Sequence, residues 1–171
     1  EKKYRIINDK EGIQGAIRIA SHFPGIHHPH FTKAQVLNTL FGGYFGSRLM
    51  SNIREDKGYT YGIHSYMQNH VQQSAWMIST EADKEMQVLR EKTVSEEELL
   101  LVKNFLIGTI LGDLDGPFHI IGRWKNIILN ELAEDYFYTS VAGIKNVTTK
   151  EIQELANQYL LPEKFYELVV V

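Results

Sequence analysis

The chain has 171 residues, 43% of them hydrophobic, enough for one compact unit with a full core. Its 18 Lys and Arg against 21 Asp and Glu leave a formal charge of −3 with no basic stripe. Phosphate binding needs clustered cations, so nucleic acid is excluded as an expected partner. The absence of cysteine removes disulfides, thiolate nucleophiles and cysteine-type zinc sites together, but suits cytosol and periplasm equally. No apolar run approaches the roughly 20 residues of a membrane span, and no basic-then-apolar leader opens the chain. It begins at Glu1 rather than Met, as expected of a piece of a longer protein.

Residues 4–7 and 15–20 read as strands, the second alternating apolar with small or polar positions. A loop from Phe23 to Pro29 then carries His27 and His28, with His30 just beyond. Thr32 stands three residues before Gln35, a capping-box spacing, and Ala34, Leu37, Leu40 and Phe41 continue at helical intervals. Gly42-Gly43-Tyr44-Phe45-Gly46 bends or breaks that helix. A second helical run, 47–57, is expected to stop at Gly58, a residue suited to positive φ. Residues 60–71 and 74–80 follow as an antiparallel hairpin.

The remainder reads as helical almost to the end. Ser95 with Glu98 predicts a capped helix carrying Leu99, Val102, Leu106 and Ile110 on one face. Asp115-Gly116-Pro117 breaks it, and Trp124, Ile127, Ile128 and Leu132 pattern the next. Residues 136–144 suggest a short helix. Thr148 and Glu151 cap the last one, which bears Ile152, Leu155, Ala156 and Tyr159. Residues 168–171 close as a strand. Strands at the start, middle and end with helices between predict an α+β domain, a mostly antiparallel sheet with helices packed on one face. Without an internal repeat or linker, residues 1–171 read as one domain.

The chemistry concentrates in residues 40–62. Arg54 falls in the last turn of its helix, where a cation suits the negative end of the dipole. Tyr61 opens the next strand. With a reversal at Gly58, guanidinium and phenol can point into one space. Neither residue alone would distinguish a function from a helix cap and a strand tyrosine.

The segment Leu40-Phe41-Gly42-Gly43, then Ser47-Arg48-Leu49, then Arg54-Glu55 followed by Gly58 and Tyr61, resembles the second domain of the pitrilysin and insulinase-type peptidases. That family includes the mitochondrial processing peptidase. Residues 94–99 with Lys103 and Gly108, and residues 146–148 and 156–162, resemble its later elements, so the likeness covers most of the chain in order. The resemblance implies a LuxS/MPP-like metallohydrolase fold. It casts Arg54 and Tyr61 as the pair that reaches across to the zinc site of a companion domain and holds the scissile carbonyl. It also implies a substrate-binding role for Gly42, Gly43, Tyr44, Phe45 and Gly46, near the place of the processing peptidase's glycine-rich loop.

Three departures stand out. Tyr59 replaces a more usual Leu. Residues 81–93 are shorter than the family's strand–helix connection, which leaves open whether part of a helix is missing from the chain there or only unrecorded in its sequence. The chain has no His-x-x-Glu-His, the motif that supplies zinc ligands and general base in the catalytic domain. The resemblance therefore implies no metal in this chain, zinc in a catalytic domain upstream or in a partner subunit, and a peptide substrate.

Other motifs are weaker. The glycines lack the Lys-Ser/Thr of a phosphate loop. His27, His28 and His30 have the spacing of a chelate but no Cys or carboxylate among them, and read as an exposed histidine loop. Glu96-Glu97-Glu98 suits a helix start. The alternatives are a catalytically inactive scaffold subunit of the same fold, distinguished by whether His-x-x-Glu-His occurs upstream, and a self-contained metal module on the three histidines, distinguished by metal content.

Overall fold

The computed structural model describes residues 2–7, 15–23, 25–55, 63–70, 73–79 and 82–171, with the side chains of 53–55 outside that description. Among the described residues five strands form one sheet: β1 (Lys3–Ile6), β2 (Ala16–Phe23), β3 (Ser65–Asn69), β4 (Ser74–Ile78) and β5 (Tyr166–Val170), in the order β1-β5-β2-β4-β3. β1 and β5 run parallel and the other three pairings are antiparallel. The expected hairpin is present as β3–β4, with Met67 opposite Trp76.

Alternation sets the two faces. On β4, Ser74, Trp76 and Ile78 are buried while Ala75 and Met77 are half-buried. The register places Trp76 beside Ser21 on β2, and Ile78 beside Ile19, so one face of the sheet is apolar and covered. His22, Tyr66 and Tyr166 occupy the other face and remain exposed.

Six α-helices among the described residues supply the cover and flanks: α1 (Phe31–Asn38), α2 (Asp83–Glu91), α3 (Glu96–Gly112), α4 (Pro117–Leu129), α5 (Tyr136–Asn146) and α6 (Thr149–Tyr159). α1 packs on α5 and α6, and α2 on α6. Phe31, Leu37, Phe41, Trp76, Met86, Leu99 and Ile152 belong to one buried cluster that joins sheet to helices. Burying an aromatic or aliphatic side chain of this size contributes about 1.5–3 kcal/mol relative to exposure.

The helix starts show how local chemistry and packing share control. Thr148 and Glu151 form the complete reciprocal box at α6. At α3 the Ser95 side chain accepts from the Glu98 amide. The expected box at Thr32 is not formed. α1 starts at Phe31, with His30 at the cap and no side-chain cap bond, so Thr32 lies inside the first turn. The Ala34 amide donates to the His30 carbonyl at 2.8 Å, which draws the helix start forward, while the His30 ring shares a 3.0 Å hydrogen bond with the Tyr159 hydroxyl. The nine-residue α2, Asp83–Glu91, is docked through Met86 and Leu89.

Candidate functional site

α1 does not simply end at the glycines. It runs on into a π-helical turn, Thr39–Gly43, and after a short loop a second π-helical segment spans Met50–Glu55. Wide turns of this kind are uncommon and concentrate at functional sites.

The loop between them is held from below. Trp76, fully buried, donates its indole N–H to the Ser65 hydroxyl at 2.6 Å, and that hydroxyl donates to Asn38 Oδ1 at 2.7 Å. The end of α1 is thereby tied to β3. Gly42 sits where this junction leaves no room. A Cβ there would lie 2.7 Å from Leu49 Cδ1, 2.7 Å from Ser65 Cβ and 2.9 Å from the Ser65 nitrogen. Gly43 and Gly46 are exposed, although a Cβ at 46 would meet the Tyr44 ring at 2.9 Å. Tyr44 lies against Phe105 of α3, ring centroids 4.8 Å apart. Burial, then the Glu98 carboxylate, pushes the Tyr44 phenol above its ordinary value, so its hydroxyl stays protonated. Phe45 is 65% exposed.

Arg48 follows the loop. Its Nε and Nη2 donate to the two carboxylate oxygens of Glu98, both at 2.8 Å, a bidentate pair fixing the loop to the start of α3. Beside it opens a cavity of about 370 Å³ lined by Gly46, Arg48, Ser51, Asn52, Glu85 and Glu98. The backbone of Arg54 belongs to the second π-helical segment, but its side chain lies outside the described residues. Tyr61, with Gly58 and Tyr59, lies outside them entirely. Of the predicted loop residues, Gly42 and Gly43 end the first π-helical turn and Tyr44, Phe45 and Gly46 follow it, whereas the geometry between Arg54 and Tyr61 is outside the described residues.

The histidine loop is differently occupied. The His30 amide donates to His28 Nδ1 at 3.1 Å, and the His30 ring is engaged with Tyr159. Burial, then the neighbouring His30, holds the His28 imidazole below its ordinary value. Among the described residues there is no group of three or more His, Cys, Asp or Glu able to hold a metal ion. Nor is any described helix long and apolar enough to cross a membrane.

Sequence reasoning passed over Glu85 and the Arg48–Glu98 pair. Asp83 and Glu85 look like ordinary acidic residues of a helix start, and 50 positions separate Arg48 from Glu98, so no local spacing marks the contact.

Among the described residues, then, a five-stranded sheet covered on one face by helices carries a glycine bend beside the end of α1, and the sequence holds no His-x-x-Glu-His. The family model for the peptidase M16 inactive domain matches residues 1–106. The chain belongs to that metallopeptidase family, as a non-zinc-binding domain of the C-terminal type. No curated protein matches it.

Among solved structures, the peptidase M16 inactive domain from Pseudomonas fluorescens superposes with a TM-score of 0.84 at 21% identity, over 98% of this chain and 43% of that one. A protease from Helicobacter pylori gives 0.84 at 13%, over 99% and 44%. The inactive peptidase domain of a proposed zinc protease from Bordetella parapertussis gives 0.76 at 16%, over 92% and 90%. At these identities the likeness is one of fold. The chain spans less than half the length of the first two.

Proposed function

We propose that this chain is one domain of a longer zinc metallopeptidase or of its complex: the half that binds peptide and stabilises the transition state. The zinc and general base belong to a His-x-x-Glu-His domain in the same chain or in a partner subunit. Alone, the segment hydrolyses nothing. Arg54 offers a charged fork of donors and Tyr61 a hydroxyl, both suited to the oxygen that gains charge in a tetrahedral intermediate. The bend of Gly42, Gly43, Tyr44, Phe45 and Gly46 borders the bound peptide, which lies extended as an added strand on the catalytic half.

The observation that carries this reading is the family match over residues 1–106, which spans the whole segment containing Arg54 and Tyr61. The helical flank is consistent with a companion half. α4 keeps a single buried residue, Ile127, while Phe118 is 86% exposed and Ile128 69%. Apolar surface of that extent calls for a cover, and the Pseudomonas and Helicobacter chains are more than twice the length matched here.

The test is peptide turnover by the complete protein with Arg54→Ala and with Tyr61→Phe. Loss of one such donor should lower kcat by at least about 100-fold with zinc content unchanged. Unaltered turnover in both variants rejects the role. An inactive scaffold of the same fold is the second reading, favoured by the likeness to a chain of complex III2 from Candida albicans, TM-score 0.75 at 15% identity. It requires that no companion half carry His-x-x-Glu-His.

A further inference from the structure

Arg48 stands two residues ahead of the second π-helical segment, Met50–Glu55, and six ahead of Arg54 within it. The stretch between continues the turn that carries Arg48. The Ser47 amide donates to the Tyr44 carbonyl at 3.1 Å, and the Ser51 amide to the Ser47 carbonyl at 3.0 Å. Leu49 is fully buried and Met50 packs against the core, which fixes the depth of this stretch. Apolar packing is non-directional, however, and leaves the rotation to be set by something else. The Arg48 fork supplies that. Its two 2.8 Å bonds to the Glu98 carboxylate fix a plane as well as a distance.

The far end of the fork is rigid. Glu98 lies in the first turn of the 17-residue α3, its amide donating to the Ser95 hydroxyl at 3.1 Å, and Leu99 and Val102 root that helix in the core. The paired side chains are 20% and 32% exposed, so the contact adds little to stability. In bonding Arg48, Glu98 also forgoes the return bond to the Ser95 amide that would complete a capping box. What the pair gains is geometry. We infer that Arg48 and Glu98 are positioning residues for the proposed reaction. They set where the segment bearing Arg54 leaves the glycine bend, and act on turnover through Arg54 without touching substrate, a role that rests on the reading of Arg54 given above.

Arg48→Lys keeps the charge and loses the fork. Glu98→Gln keeps the shape and loses the charge. In the full-length protein each should lower kcat for a peptide by about tenfold, with KM within about twofold, since a small misplacement of a catalytic group is costly. The melting temperature should fall by no more than about 3 °C. The deciding comparison is a double-mutant cycle. Arg54→Ala is expected to be about 100-fold down by itself. On that background Arg48→Lys should lower kcat no further, because the group it positions is gone.

Four results would overturn the role. They are an unchanged kcat in both variants, a raised KM at unchanged kcat (direct contact with substrate), an undiminished tenfold loss on the Arg54→Ala background (an effect independent of Arg54), and a fall of many degrees in the melting temperature of both variants (a structural pair). Failure of the Arg54 reading shows itself separately, as full turnover by Arg54→Ala alone. If that variant is instead about 100-fold down while the two substitutions add, only the positioning role falls.

Discussion

A methyl group at position 42 would have to displace β3. The nearest atoms include the Ser65 backbone nitrogen, which cannot rotate away as a side-chain tip could. Gly42→Ala should therefore cost about 1–3 kcal/mol through overpacking, read as a lower urea midpoint at unchanged slope. Gly43→Ala, at an exposed position with nearest neighbours at 3.2 Å, should cost distinctly less. Equal effects at the two positions would contradict the packing described. Ser65→Ala should cost about 1–3 kcal/mol as well, because it strands the buried Trp76 N–H. That these glycines break a helix was legible from their clustering. Which one is indispensable was not, since the obstructing strand lies more than 20 residues further along. Glu85 was hidden for a related reason. Its sequence neighbours describe a helix start, and only the folded chain closes a cavity around it.

Among the elements, caps followed the sequence where nothing distant competed. The α6 box formed in full, and Thr148→Ala should cost about 1 kcal/mol. Its partner Glu151 is held below the ordinary carboxylate value of 4.5, first by the Lys33 ammonium that donates to it at 2.6 Å and then by the Thr148 amide. A carboxylate with a lowered folded pKa contributes stability fully above 4.5, and loses it as pH falls through that lower folded value. The stability gap between wild type and Glu151→Gln should accordingly be present at neutral pH and shrink in acid, measured by urea unfolding across that range. A gap independent of pH would contradict the assignment. At α3, Glu98 turns its carboxylate to Arg48, a long-range contact that outweighs the local box. At α1 the backbone bond to His30 brought the start ahead of Thr32. The α+β order and the β3–β4 hairpin were readable from periodicity. The two π-helical turns were not, because a bend at glycines specifies a break and leaves its hydrogen-bond spacing to tertiary packing.

Across the whole molecule, the sheet carries a core that meets ordinary expectations and the α3–α5 flank does not. Leu101, Leu111, Phe118, Ile121, Ile128 and Tyr138 are each more than half exposed. If a companion half covers them, Phe118→Ser with Ile128→Ser should leave the fold intact, since neither side chain is buried, and should weaken association with that half in sedimentation or titration experiments. Unchanged association would place the contact elsewhere. The central claim is that this domain aims donors at an oxygen whose zinc is held by another domain. A phosphonate peptide mimics that oxygen as it becomes tetrahedral, and transition-state complementarity requires the donors to favour it over substrate. The decisive measurement is the affinity of the complete, zinc-loaded protein for such an analogue and for the matching uncleaved peptide, before and after Arg54→Ala. The account predicts a loss of about 100-fold for the analogue and a much smaller loss for the peptide. Equal losses for both, or none for either, would contradict it.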